Sequence, residues 1–150
     1  MVQPMESAGW GRDLFIRLDP GDELHASLRA VVAENGEMSG AVTAGIGRIR
    51  DVEFGYLTPN GIYQRKTISE PVELLSLQGN VAPLDGEPFS HLHLVFSDDE
   101  HQVHGGHLFS ATVHITAEIS VRLLPAGSGF EKELRRCHLD GSEFKPLSFE

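Results

Sequence analysis

The sequence predicts an α+β domain, a mainly antiparallel β-sheet with flanking helices. Three observations predict it. One amphipathic helical stretch stands near the start, after a single strand. Nearly everything beyond it reads as strands, ending in the long alternating run "TVHITAEISVRLL" (112–124). The turn "TPNG" (58–61) joins two strand-like segments as a hairpin. With no internal repeat and no linker-like composition shift, residues 12–150 form one domain, preceded by a loose arm over residues 1–11.

"LFIRLD" (14–19) is the first strand. "DPGDELHASLRAVVAENG" (19–36) is the helix. Asp19 is placed to cap it, Pro20 suits its first turn, and Asp22 and Glu23 complement the positive end of its dipole. Leu24, Leu28, Val31 and Val32 recur at helical spacing and form one apolar face, and Gly36 is the stop. "GAVTAGIGRI" (40–49) and "VEFGYLT" (52–58) are strands separated by Arg50-Asp51, and "GIYQRKTI" (61–68) follows the hairpin turn. "PVELLSLQGNVA" (71–82) is continuously apolar enough for a buried central strand. "PLDGEP" (83–88) is a loop, "SHLHLVFS" (90–97) a strand, "DDEHQ" (98–102) a polar connection. "VHGGHLFSA" (103–111) is expected to turn at Gly105-Gly106. After "PAGSG" (125–129), a flexible loop, "FEKELRR" (130–136) is a candidate short helix and "GSEFKPLSFE" (141–150) a candidate final strand.

The charge balance excludes some partners and disfavours others. Twelve Lys and Arg oppose 22 Asp and Glu, a net charge of −10 with neutral histidines, so the surface repels phosphate backbones at long range. Arg48, Arg50, Arg65 and Lys66 lie near one another in sequence, but alternate as outward strand residues do. Cys137 is the single cysteine, so no intrachain disulfide forms. The first residues, "MVQPMESAGWGRD", lack the basic and apolar regions of a secretory signal, and no run is long and apolar enough to span a bilayer. A cytoplasmic location is the expectation.

Chemistry concentrates in "HLHLVFSDDEHQVHGGHL" (91–108), which holds five of the eight histidines. On a strand, His91 and His93 share one face while Leu92 and Leu94 turn to the other. Two imidazoles then stand side by side. His107 follows two glycines, where the backbone can bend and bring a third imidazole close. Three histidines with an open fourth position describe a reactive zinc site, though imidazole also suits iron, nickel and copper. Solvated surface histidines would carry the same His-X-His pattern. His101 and His104 fall in the polar connection and read as loop residues, His114 as an exposed strand residue, and His25 and His138 have no evident partner. For a general base, Glu118 in "TAEIS" is the candidate and Glu73 in "PVELLSL" a similar one; each also fits a structural acid that orients a histidine. There is no G-x-S-x-G nucleophile turn, and "GIGRIR" lacks the full dinucleotide-binding pattern.

In this order the landmarks "FIRLDPGDELHASLRAVVAENG", "SGAVTAGIGRIRDVEFGYL", "PVELLSLQGNVA" and "HLHLVFSDDEHQVHGGHL" followed by "AEI" resemble the plant and prokaryote conserved (PPC) domain, over about Phe15 to Leu124. The resemblance implies an α+β domain assembled as a homotrimer. It implies that His91, His93 and His107 occupy the positions of a three-histidine metal site found in free-standing prokaryotic members. Those members are often labelled DNA-binding proteins, by association with plant members that carry an AT-hook. This sequence has no Arg-Gly-Arg-Pro core of an AT-hook and is strongly acidic, and both features oppose direct DNA binding. The expectation is therefore a trimeric protein binding a divalent metal, zinc first, with water or a small anionic ligand at the open position. A metal-dependent hydrolase or lyase acting on a small molecule is one alternative. An assembly or regulatory scaffold without metal is another.

Overall fold

A computed structural model describes residues 7–10, 12–124 and 134–149. The first strand, β1 (Ser7–Trp10), lies inside the segment expected to be a loose arm; it pairs antiparallel with β2 (Asp13–Leu18) and covers what would otherwise be an open sheet edge. Leu14, Ile16 and Leu18 of β2 point inward while Phe15 and Arg17 point out, the strict alternation of a half-buried strand.

The helix α1 (Leu24–Glu34) starts later than the capping reading placed it. Asp19 does not cap it. Gly21, at φ +96°, turns the chain first, and the Asp22 carboxylate accepts from the Asp19 backbone N–H at 2.9 Å. Glu23 is the cap, its Oε2 accepting from Ala26 N–H at 2.8 Å. At the far end the Asn35 amide donates to the Val31 carbonyl, and Gly36, at φ +75°, ends the helix as expected. Leu24, Leu28, Val31 and Val32 are all fully or nearly fully buried against the sheet. Each such side chain contributes ~1.5–3 kcal/mol by leaving water.

The two strands expected over 40–58 are one, β3 (Gly40–Leu57), interrupted by a bulge at Asp51, whose φ is +51°. It continues through β4 (Tyr63–Ile68), β5 (Val72–Leu84) and β6 (Glu87–Ser97) to β7 (Val103–Leu123). The expected loop over 83–88 is a two-residue hairpin turn, with Asp85 and Gly86 at φ +51° and +81°. Every pairing in the seven-stranded sheet is antiparallel, in the order β1-β2-β7-β6-β5-β3-β4, and β7 also pairs with β3. That last pairing closes β3, β5, β6 and β7 into a hydrogen-bonded ring. Ile49, Leu77, Leu92, Phe96, Leu108 and Val113 fill the interior.

No turn occurs at Gly105-Gly106; both lie within β7. They are glycines because strands crowd there: a Cβ on Gly106 would stand 2.6 Å from the Gly55 carbonyl oxygen, and one on Gly105 2.8 Å from that of Leu94. The reversal falls at 98–102 instead, where Asp98 accepts from the N–H groups of Glu100 and Gln102. Residues 130–133 of the expected short helix lie outside the described residues, and Arg135–Arg136 form a strand, β8, paired with β9 (Leu147–Ser148). Among the described residues no helix is long and apolar enough to cross a membrane.

Candidate metal centre

Sheet register assembles the centre. On β6, Ser90, Leu92, Leu94 and Phe96 turn into the core, so His91 and His93 stand on the opposite face. On β7, His107 is the direct cross-strand partner of His93. The third histidine therefore arrives by pairing, not by a glycine hinge. The Nε2 atoms of His91 and His93 are 3.2 Å apart, and one ring nitrogen from each of the three histidines lies within 4.8 Å of the others.

The donor set fits a metal on two counts. Two nitrogens bound to one tetrahedral zinc at ~2.0–2.1 Å lie ~3.3 Å apart, close to the His91–His93 separation. Two of the rings, His91 and His107, are also held in the neutral form that ligates. Burial, with the positive charge of Arg136 and the neighbouring His93, pushes His91 down to about 4. Burial, with His91 and His93 beside it, pushes His107 down to about 3. Among the described residues no carboxylate or carbonyl accepts a hydrogen bond from any of the three rings, so their nitrogens are not already committed.

Beside the trio is a cavity of ≈ 180 Å³. Tyr63 and Arg65 of β4 form one wall, with the Tyr63 ring stacked on His107 at 4.5 Å and Phe109 edge-on to Tyr63 at 5.1 Å. The C-terminal segment forms the other wall through Arg136, Phe144 and Lys145. Glu143 staples that segment down: its Oε2 accepts from Tyr63 N–H at 2.6 Å, and its own N–H donates to the Gly61 carbonyl at 2.8 Å.

The structure does not bring Glu118 to this centre. It lies eleven residues beyond His107 along the same strand, opposite Arg17 on one side and Ile46 on the other, on an exposed face. Eleven residues of strand span up to ~35 Å. Glu73 is equally remote in role, paired with Arg48 at 2.9 Å. The carboxylate that does line the cavity is Glu143. Three of the remaining histidines are held structurally. His25 is buried, with Nδ1 2.6 Å from Ser90 Oγ and Nε2 2.8 Å from the Leu108 carbonyl oxygen. His104 sits in β7 rather than a loop, 2.9 Å from Asp98 and stacked on Phe96. His138 pairs with Asp85 at 2.7 Å. His101 and His114 are exposed, as the sequence suggested.

Sequence reasoning missed Tyr63, Arg65, Phe109, Arg136 and Phe144. Tyr63-x-Arg65 and His107-x-Phe109 carry the spacing of one strand face, so that part was recoverable. Nothing local marks Arg136, which reaches the cavity from a separate small sheet.

Residues 5–125 match the model of the Plants and Prokaryotes Conserved (PCC) domain. The fold is similar to that of a metal-containing protein from Archaeoglobus fulgidus, with a TM-score of 0.78 and 28% identity, over 97% of this chain and 99% of that one. It is also similar to a protein from Bacteroides thetaiotaomicron described as a putative DNA-binding protein, with a TM-score of 0.84 over 98% of this chain and 99% of that one; at 22% identity this likeness shows the fold alone. The bifunctional protein GlmU of a Synechococcus species is 31% identical over 105 residues, 69% of this chain, which spans 16% of that protein's length.

Proposed function

We propose that this chain, which belongs to the Plants and Prokaryotes Conserved (PCC) domain family, binds a divalent metal through His91, His93 and His107, with zinc the first candidate. The observation that carries the reading is the set of three ring nitrogens within 4.8 Å of one another, none held by a carboxylate or carbonyl among the described residues. The similar Archaeoglobus protein, described as metal-containing, supports it. A metal held by three histidines supplies Lewis acidity at an open coordination position, which suits hydrolysis or lyase chemistry on a small molecule. In that chemistry the chain's own residues hold the His91 and His107 imidazoles neutral, wall off the cavity with Tyr63, Phe109 and Phe144, and present Arg136 and Lys145 to an anionic group.

The functional unit in this reading is a cytoplasmic homotrimer. Exposed Phe15 (60%) and Ile46 (55%) support an assembly surface, since Phe15, Arg17, Glu118 and Ile46 occupy one face across β2, β7 and β3. Light scattering checks it: a mass of three chains is expected, and a monomer removes the trimer from the reading.

A DNA-associated role has less support. The neighbouring arginines are already neutralised, Arg48 by Glu73 and Asp99, Arg50 by Asp51, and Arg65 by Glu53. A gel shift at low salt tests the role, and no shift is expected at a net charge of −10.

The deciding experiment is metal content by mass spectrometry on tag-free protein. About one metal per chain is expected in the wild type, with loss in His93→Ala. No metal in either protein after incubation with zinc would leave the assembly or DNA-associated reading in its place.

A further inference from the structure

We propose that the cavity beside the histidine trio binds a small carboxylate with a flat apolar body, its charged end received by Arg136. This deepens the metal-binding reading and rests on it for the second contact at the charged end.

Arg136 is 5% exposed and carries a full positive charge. Its Nη1 donates to the Lys145 carbonyl and its Nη2 to Asn80 Oδ1, each at 2.6 Å, and its Nε has no hydrogen-bond partner among the described residues. Both acceptors are neutral. Other arginines of the sheet are matched: Arg48 to Glu73 and Asp99, Arg65 to Glu53, Arg122 to Asp13. Among the described residues no carboxylate pairs with the buried guanidinium of Arg136. Burying an unpaired charge is costly, and a ligand anion is the economical way to offset it.

The cavity wall supports the same sign. With Arg65 already paired to Glu53, Arg136 and Lys145 line it against the single carboxylate of Glu143, itself engaged by the Tyr63 N–H. His91 and His107 line the same cavity, so a metal there would add to the attraction at the same end. The rest is aromatic. Tyr63, Phe89, Phe109 and Phe144 form the walls, with Arg65 over the Phe109 ring at 4.0 Å and Arg136 over Phe89 at 5.9 Å. Flat apolar walls beside a cationic end select a flat molecule with an anionic end. A volume of ≈ 180 Å³, below the ~300 Å³ at which drug-sized pockets begin, limits it to a small one. Arg136 and Phe144 lie beyond residue 125, outside the family match, so the group that receives the charged end comes from the C-terminal segment while Tyr63, Phe89 and Phe109 of the matched domain supply the other walls.

The test is calorimetric titration of zinc-incubated full-length protein with benzoate, benzamide and inorganic phosphate, with metal content measured on the same sample. Benzoate should saturate at about one per chain, and neutral benzamide should bind about tenfold or more weakly, as for loss of a buried charge pair. Arg136→Gln should weaken benzoate by a similar factor without changing metal content. The benzamide comparison carries the charge argument if that variant does not fold. No saturable benzoate binding to wild type, benzamide binding as tightly, or phosphate binding more tightly than benzoate would each overturn the proposal. Benzoate binding by protein that takes up no zinc would support the carboxylate site and remove the metal reading instead.

Discussion

Two sets of histidines in this molecule share a chemistry and differ in company. His91, His93 and His107 meet one another across two strands, with no carboxylate or carbonyl holding their nitrogens among the described residues. His25, His104 and His138 each meet an oxygen within 2.9 Å: the Ser90 hydroxyl and Leu108 carbonyl, the Asp98 carboxylate and the Asp85 carboxylate. A ring committed to a protein oxygen is part of the scaffold. A ring committed only to its own kind is available to an outside partner, and three together favour a cation that none of them is. Abundance of histidine in residues 91–108 is therefore a poor guide to the site, because His104 lies in the same stretch and belongs to the other set.

Breaking the first set should have the largest effect. His107→Ala is expected to lower metal affinity by more than about 100-fold, since loss even of an outer-shell partner costs ~10–100-fold. His104→Ala and His138→Ala should retain metal, read by metal content after dialysis against a chelator. If His104→Ala also lost its metal, the division between the two sets would fail.

The second largest effect belongs to the structural set. His25→Ala removes a buried ring and strands the Ser90 hydroxyl and the Leu108 carbonyl. It should destabilise the chain by about 2–4 kcal/mol in thermal or denaturant unfolding, with metal binding retained in the folded protein.

Acid should act next, and on the trio. His91 and His107 have values of about 4 and about 3 in the fold, below the ordinary 6.5, so the unfolded chain binds more protons between those limits. Metal-free protein is expected to keep the full contribution above pH 6.5 and to lose stability as the pH falls from there toward 4 and below. Metal is expected to leave as the same rings protonate. His91→Gln should flatten the part of the melting-temperature profile between about 6.5 and 4. An unchanged profile would mean that His91 is not held neutral.

The smallest change is Glu118→Gln. It sits on an exposed face away from the cavity, the face proposed for assembly, so metal content should not change and the stability of the isolated chain should shift by no more than about 0.5 kcal/mol. A drop in metal content would place Glu118 near the centre of a neighbouring subunit, which is also the sharpest test of how copies of this chain meet.

Periodicity alone determined a good deal. Apolar positions three and four apart made α1 and its buried face legible, and the period of two placed His91 and His93 on one side of β6, away from Leu92 and Leu94. Those are local properties, set by the geometry of a single element. Register and closure are not local. The sequence showed a glycine pair before His107 and suggested a turn, whereas the glycines serve close strand packing and the pairing of β6 with β7 delivers His107. It showed Glu118 as an isolated acid in an apolar strand, but only the course of β7 sets it far from the cavity. Arg136 depends most on tertiary structure. Its neighbours in sequence say nothing of a cavity, and its role exists because a distant sheet, a small C-terminal hairpin-like pair and three histidines converge in space, where the energetic cost of a buried charge is set by what surrounds it.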